Sequence, residues 1–402
     1  MLHDDYWNEN IDSNLTASRL EIMFGFFSLV QHLSLSMSSS ELMCKVFNSF
    51  FNEPIIPNTK YFFDKYFYSN EGITYHAVCS NCKDHIGTFT IKDRIIHCNV
   101  CNTDINLKSS QYRDYFATFD VSQDVKQLLQ KSPQYYEKVI LGLEEAHDNR
   151  MSDICDGQLY KQFKESLNED EKKSFASFTF NSDGAPLYKS SNTSIWPIQL
   201  CINEIEYTTR SEKPIVFGIW FGKDKPNMTT FLRPFVNQMN TFSNNGIPCN
   251  FNGENKEIKL YALCCCVDSV ARAPIQGLIQ YNGYFGCSWC YHPGKAVRAN
   301  TRKVVKYPLL EDVPELRDAE MSIEYIDLAV NLGAPVYGWK NASPLLLLHK
   351  FNIIKSIVPD AMHCILLGIV KRFFQYWFFT SGNDFFCFLY RLSQESRDGL
   401  LF

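Results

Sequence analysis

Apolar residues recur at three- and four-residue steps along residues 18–52, where Leu20, Met23, Phe26, Phe27 and Val30 would share one side of a helix. Pro54 and Pro57 end that stretch. Residues 61–68 are aromatic, and 106–148 alternate polar runs with helix-like pieces such as 123–130, which reads as a connector. From residue 174 the pattern changes. Residues 174–180 alternate in strand fashion and run into Asp183-Gly184, and 195–205 and 213–221 are rich in β-branched and aromatic residues. Residues 227–240 read as a helix, and 257–267 as a strand apolar on both faces. A further helix is expected over 270–280. Gly283, Gly286, Pro293 and Gly294 then mark an irregular insertion, and helices are expected over 321–332 and 365–378.

Three strands, a helix and a fourth strand is the order of an RNase H-like core, so the predicted class is α/β (α+β). The expected organisation is an N-terminal helical segment (1–60), a zinc ribbon (61–107), a helical connector (108–168) and a partial RNase H-like core with an insertion (169–402). The 402 residues suffice for two or three domains, and 45% hydrophobic with 21% charged residues is ordinary for a folded chain. The start of the chain lacks the order of a secretory signal, and the longest apolar runs, 258–267 and 365–370, are far short of the ~20 residues that span a bilayer. A soluble, intracellular protein with no membrane partner is expected. Net charge is −5, so a nucleic-acid partner would have to meet a locally basic surface.

Fifteen cysteines, an odd number, point to metal sites and buried thiols rather than a disulfide framework. Cys79-x2-Cys82 and Cys98-x2-Cys101 are separated by fifteen residues. Two such pairs can aim four thiolates at one ion and close a tetrahedral structural Zn²⁺ site. The intervening residues 86–96 place Thr88, Thr90, Lys92 and Arg94 between apolar neighbours, as a short hairpin would. A further pair, Cys287 and Cys290, has no second pair downstream. A second zinc there would need imidazoles from His292, His349 or His363; a redox motif or chance spacing explains the pair equally well. His363 also suits a core position, and Asp360 a helix cap.

Asp183 and Asp268 each close a predicted strand. Neighbouring strand ends can bring two carboxylates together, as a Mg²⁺-dependent phosphoryl-transfer site requires. Taken singly, Asp183-Gly184 is a common turn and Asp268 a common helix cap.

The run Asp183-Gly184-Ala185-Pro186, Lys189-Ser190-Ser191 and Ser194-Ile195-Trp196-Pro197 resembles the first signature block of CACTA (En/Spm)-type transposases. Arg272-Ala273-Pro274 with residues 281–294 is similar to the second block, and Pro359-Asp360-Ala361-Met362-His363-Cys364 with Leu367-Gly368-Ile369-Val370-Lys371 to the third. The resemblance covers roughly residues 61–377. It implies a DDE/D-type transposase: metal-dependent DNA cleavage and strand transfer at transposon ends, with Asp183 and Asp268 as the first two acids and Mg²⁺ ligands. Cys287 and Cys290 match the family's cysteine pair, and Asp360 with His363 its D-x2-H motif. DNA is the implied partner, and self-association into a homo-oligomer is left open. The implied location is nuclear, with the cytoplasm as the alternative. The family's third acid is a downstream glutamate; Glu395 lacks a surrounding motif, and Asn341 stands where glycine is usual. Activity is therefore expected to be impaired, and the alternative is a non-catalytic, domesticated zinc-binding module that contacts DNA or protein.

Overall fold

The computed structural model describes residues 37–51, 53–56 and 72–378, apart from 91, 110–113, 144–150, 187–193, 223 and 300–301, together with a few positions between 18 and 29. Residues 61–68 and Glu395 lie outside the described residues. The chain divides into two compact units, Met1–Gly72 and Ile73–Phe402.

In the first unit, helix α1 (Met37–Asn48) lies within the predicted helical stretch. Its last residue, Asn48, is buried, and its carboxamide fastens the following turn. Asn48 Oδ1 accepts from the backbone N–H of Ile55 and of Ile56, each at 2.9 Å, and Nδ2 donates to Ile56 O at 2.6 Å. Ile55 and Ile56 thereby pack with Phe26 and Cys44 in a small core.

The second unit is built on one ten-stranded mixed sheet. Its first strands, β1 (Ile73–Val78) and β2 (His85–Phe89), form a hairpin closed by the first cysteine pair. The second pair closes a separate hairpin, β3 (Ile95–Cys98) with β4 (Thr103–Asn106). The single hairpin expected over 86–96 is thus two, because each cysteine knuckle is itself the hairpin turn. Within the expected connector, β5 (Tyr115–Phe119) pairs with β1 on one edge and with the strand Ile215–Gly222 on the other. The cysteine ribbon is therefore continuous with the central sheet. Helix α2 (Ser122–Lys131) and helix α3 (Gln158–Glu165) follow, each burying an apolar side.

The centre of the sheet is β6 (Phe175–Ser182), β8 (Ser194–Ile202) and β9 (Ile215–Gly222), an antiparallel meander, with the two-residue β7 (Ala185–Pro186) beside β8. Asn227 then caps α4 (Met228–Asn245), accepting from Thr229 and Thr230 N–H at 3.1 and 3.4 Å. The buried side of α4 carries Phe231, Phe235, Val236, Met239 and Phe242 at helical spacing. Phe235 meets Phe180 at 4.9 Å and Phe217 at 5.2 Å, and Phe231 meets Phe116 at 5.4 Å, so this helix covers the sheet from β6 to β5. A hairpin of β10 (Ile247–Phe251) with β11 (Glu254–Val267) returns the chain to the sheet, where β11 runs parallel to β6. Its burial on both faces explains its near-continuous apolar sequence.

After β11, α5 (Ser269–Gln276) stops earlier than expected, at Gly277. Gly277 has φ +81°, and any side chain there would collide with the carbonyl of Asn341. The insertion holds a two-stranded hairpin, β12 (Lys295–Ala299) with β13 (Arg302–Lys306), and helix α6 (Ala319–Leu332). Strand β14 (Ile357–Pro359) then joins the other edge of β11 in parallel. A wide π-type turn over Met362–Val370 runs into α7 (Lys371–Phe378). No helix among the described residues is long and apolar enough to cross a membrane.

Beside the amino-terminal part of β6, Glu204 is fully enclosed. It accepts from Ser177 N–H at 2.8 Å and from Ser177 Oγ at 2.5 Å. Burial is the main cause that pushes its carboxyl up to about 7, against the pull of those hydrogen bonds. A folded-state value above the unfolded 4.5 means that the folded chain binds more protons. This group's contribution is thus full below about pH 4.5 and is lost as pH rises through 7. Across pH 5 to 8 the melting temperature of wild-type protein is expected to fall by the equivalent of a few kcal/mol through this residue. Glu204→Gln should flatten that dependence, a comparison that thermal denaturation at several pH values makes directly.

Candidate functional site

The four cysteines converge. Cys79 and Cys82 lie in the turn after β1, and Cys98 and Cys101 at the end of β3 and the turn that follows it. The residue after each pair takes the left-handed conformation: Lys83 at φ +62° and Asn102 at φ +55°. The two knuckles thus bend alike. Cys79 N–H donates to Asp84 O at 2.8 Å, and Lys83 N–H to Cys79 O at 2.9 Å, which tightens the first. Sulfur–sulfur distances are 3.4 Å for Cys79–Cys101 and 3.6 Å for Cys82–Cys98, and all four sulfurs lie within 4.8 Å of one another. A tetrahedron with ~2.3 Å Zn–S bonds has sulfur–sulfur edges of about 3.8 Å. The donor set fits a closed structural zinc site.

Electrostatics agree with that fit. Burial opposes ionisation of Cys79, but backbone N–H groups of Cys82 and Asn81 and the neighbouring thiols draw its pKa down to about 7. Cys82 is helped by the Asp84 backbone, yet burial and its three sulfur neighbours push it up to about 12. Four thiolates this close repel one another, and a divalent cation is what lets all of them ionise. Cys79, Cys98 and Ile105 are buried together with Ile86 and Ile96 against them, so the metal would replace a larger core in this small lobe.

The three-strand acidic edge is set by register. Lys259 to Ala262 of β11 pair with Phe175 to Phe178 of β6, an offset of 84 positions; beyond an irregularity at Leu263, Cys264 and Cys265 pair with Thr179 and Phe180, an offset of 85. Carrying the second offset onward places Asp268 beside Asp183. Without that single bulge Asp183 would lie beside Val267. On the other edge Val267 pairs with Pro359, and Asp360 N–H donates to Val267 O at 3.1 Å, which brings Asp360 beside Asp268. Adjacent strands stand about 4.8 Å apart.

Each aspartate also serves its own backbone. Asp183 Oδ1 accepts from Gly184 N–H at 2.7 Å, and Gly184 is required because a side chain there would strike the Trp196 indole. Asp268 Oδ1 caps α5, accepting from Val270 and Ala271 N–H at 3.0 and 2.6 Å. The Oδ2 atoms of Asp183 and Asp268 have no partner among the described residues. Asp360 Oδ1 accepts from Met362 N–H at 2.8 Å, and its Oδ2 meets His363 Nδ1 at 2.5 Å. His363 has its proton affinity raised by Asp360 first, through hydrogen bond and charge, and further by Asp268 and Asp183. The negative field of all three carboxylates therefore falls on one imidazole.

The remaining predicted ligands are placed differently. Cys290 is pushed up by burial and by its neighbour Cys287, and Trp289 N–H donates weakly to Cys287 Sγ at 3.5 Å. His292 is engaged at both nitrogens, by Pro308 O at 2.8 Å and Gly294 N–H at 3.0 Å. His349 Nδ1 meets Ser243 Oγ at 2.8 Å, on α4. Among the described residues, the four cysteines Cys79, Cys82, Cys98 and Cys101 are the one group of three or more candidate ligands within 4.8 Å, so the structure does not gather Cys287, Cys290 and His363.

Two arginines organise this region, Arg272 of the second sequence block and Arg317, which carries no sequence signature. Arg272, one turn into α5, lies over the Trp289 ring at 4.5 Å and so ties the cysteine loop to the helix capped by Asp268. Arg317 is buried, with no carboxylate partner among the described residues. It donates to Cys287 O, Phe285 O and Tyr337 O at 2.8–2.9 Å, and its guanidinium stacks over Tyr291 at 4.7 Å. Carbonyls and rings replace water around it.

Metal analysis of purified protein is expected to return one tightly held zinc per chain. Cys98→Ser should release it and lower the melting temperature, whereas Cys287→Ser should retain it; equal zinc in the Cys98→Ser protein would remove the site. Arg317→Lys should destabilise by about 2 kcal/mol or more, because an ammonium cannot serve three carbonyls in that planar arrangement. No protein-family model matches the sequence, and a search of curated proteins returns no match.

Proposed function

We propose that the chain is a transposase-derived protein, with an RNase H-like core whose ancestral chemistry is metal-dependent DNA cleavage and strand transfer at transposon ends. The observation that carries this reading is the pairing of β6, β11 and β14 as three neighbouring parallel strands, whose register, carried on to their carboxyl ends, lines up Asp183, Asp268 and Asp360. The strand order β9-β8-β6-β11 with β14 on the far edge, and the helix α4 between β9 and β11, agree with the order expected of that fold. Asp183 of the first sequence block and Asp360 of the third lie at the ends of strands on either side of β11, and Arg272 of the second lies in the helix that Asp268 caps.

In this reading Asp183 and Asp268 hold Mg²⁺ through their unengaged Oδ2 atoms. Asp360 stands where a third carboxylate is needed, and its hydrogen bond with His363 orients it. Bound Mg²⁺ would supply activation of a water or 3′-hydroxyl and stabilisation of the leaving oxygen. The protein's own part is to fix the carboxylates by backbone hydrogen bonds and to set the His363 imidazole, its proton affinity raised by them, against Asp360. The location would be nuclear, with DNA as partner.

A second reading, a non-catalytic zinc-binding module, is favoured by the capping and turn duties of Asp183 and Asp268, and by the absence of any acidic trio among the groups within 4.8 Å among the described residues. Nicking of supercoiled plasmid decides between them. The first reading expects Mg²⁺- or Mn²⁺-dependent nicking. Asp183→Asn, Asp268→Asn and Asp360→Asn should each lower it by more than the about 10- to 100-fold typical of outer-sphere changes. Zinc content should stay unaltered. No nicking with either metal by zinc-loaded protein leaves the second reading standing.

A further inference from the structure

The hairpin β12–β13 is the most basic element of an acidic chain. Residues 295–306 hold five cations, Lys295, Arg298, Arg302, Lys303 and Lys306, and no acid, in a protein of net charge −5. The register pairs Lys295 with Lys306 and Arg298 with Lys303, so like charges stand directly opposite one another twice. That arrangement weakens a hairpin unless an anion lies against it. The four side chains are exposed, and none is within ion-pair distance of a carboxylate among the described residues.

Side chains alternate across a ribbon. Lys295 and Lys306 therefore project from one face, beside Val297 and Val304, and Arg298 and Lys303 from the other, beside Ala296 and Val305. A ribbon basic on one face fits a flat anionic surface; a ribbon basic on both faces fits between two anionic walls. Protection of exposed strand edges, for which lysine is the usual charge, would explain single lysines but not like charges set directly opposite one another twice. The root of the ribbon is fixed. His292 bridges the two strand ends through Pro308 O and Gly294 N–H, and Tyr307 Oη donates to Gly283 O at 2.5 Å while accepting from Gly286 N–H at 2.7 Å. Through Trp289 and Arg272 this loop adjoins the helix capped by Asp268.

We infer that β12–β13 is a nucleic-acid-binding ribbon that enters a groove of double-stranded DNA, with Lys295 and Lys306 facing one phosphate wall and Arg298 and Lys303 the other. A major groove about 12 Å wide admits a two-stranded ribbon. The inference extends the proposed function by naming the element that holds the substrate, and it rests on that reading only for the choice of DNA as substrate.

The test is fluorescence anisotropy of full-length, zinc-loaded protein on a random-sequence duplex, without added Mg²⁺, as a function of salt. Relative to wild type, the variant Lys295→Ala/Arg298→Ala/Lys303→Ala/Lys306→Ala should lose about 3.6 from the slope of log affinity against log salt, at about 0.9 per phosphate contact. Binding near 0.1 M salt should weaken on the order of a thousandfold. Replacing the three lysines by arginine should restore the slope, which separates charge from folding. Duplex should outcompete single strands and polyglutamate of equal charge. An unchanged slope in the alanine variant, or polyglutamate competing as well as duplex, overturns the ribbon. Loss of slope in a protein that never nicks DNA supports the ribbon while removing catalysis; nicking with an unchanged slope does the reverse.

Discussion

The parallel pairing of β6 with β11, shifted by one residue at Leu263, is the constraint on which the acidic edge depends. Strand pairing fixes which positions are neighbours, and a one-residue change of register moves every later neighbour by one place. The first half of the pairing, offset by 84, aligns Phe175–Phe178 with Lys259–Ala262 and buries Phe178 in the core beneath α4. The second half, offset by 85, brings Asp183 to Asp268. One extra residue in β11 thus reconciles two demands, aromatic packing in the middle of the sheet and carboxylate alignment at its end. Pairing of β14 on the opposite edge adds Asp360 at the same level.

The same sheet carries the metal lobe. Because β5 pairs with both β1 and β9, the hairpin that presents Cys79 and Cys82 is an extension of the central sheet rather than a tethered bead. His76 shows how closely the two are fused: its ring stacks on Phe116 at 4.4 Å, its Nε2 lies 3.0 Å from Thr118 Oγ1, and Phe116 in turn stacks against Trp220 of β9. Burial, with some help from nearby His85, draws the His76 pKa down to about 4, so this junction is held by a neutral imidazole. A metal at the cysteines would therefore steady one end of the sheet whose other strands carry the aspartates.

Much of this was legible from residue pattern, and the exceptions have physical causes. The strands at 175–182, 194–202 and 215–222, the helix at 228–245 and the strand at 254–267 fall close to their predicted places, because each has one strong period or a long apolar run. The four-cysteine site was legible from spacing alone, since a CxxC pair is itself a tight turn. Strand β5 was hidden because Tyr115–Phe119 is short and its partners lie 38 or more positions away in sequence. The β12–β13 hairpin was hidden because Lys and Arg alternate with Ala and Val on both faces, which leaves no apolar face to detect. Asp360 was recognised as part of a motif but not as a neighbour of Asp268; only the short parallel contact of β14 reveals it. Arg317 gives no signal at all, since a buried guanidinium solvated by carbonyls looks in sequence like any surface arginine.

Exposure of the carboxyl-terminal apolar run also bears on how the edge is built. Ile365, Leu366, Leu367 and Ile369 are each half or more exposed in the π-type turn that follows Asp360 and His363. A π-type turn widens the helix by one residue per turn, and such turns are frequent at functional sites. Here the widened segment begins at Met362, yet Cys364 N–H donates to Asp360 O at 2.8 Å, an α-type bond four residues back, so His363 belongs to a regular first turn that sets its Nδ1 against Asp360 Oδ2. The bulge at Leu263 and the regular first turn after Asp360 thus act together: one sets the register of the strand ends, and the other holds an imidazole against the carboxylate at the edge.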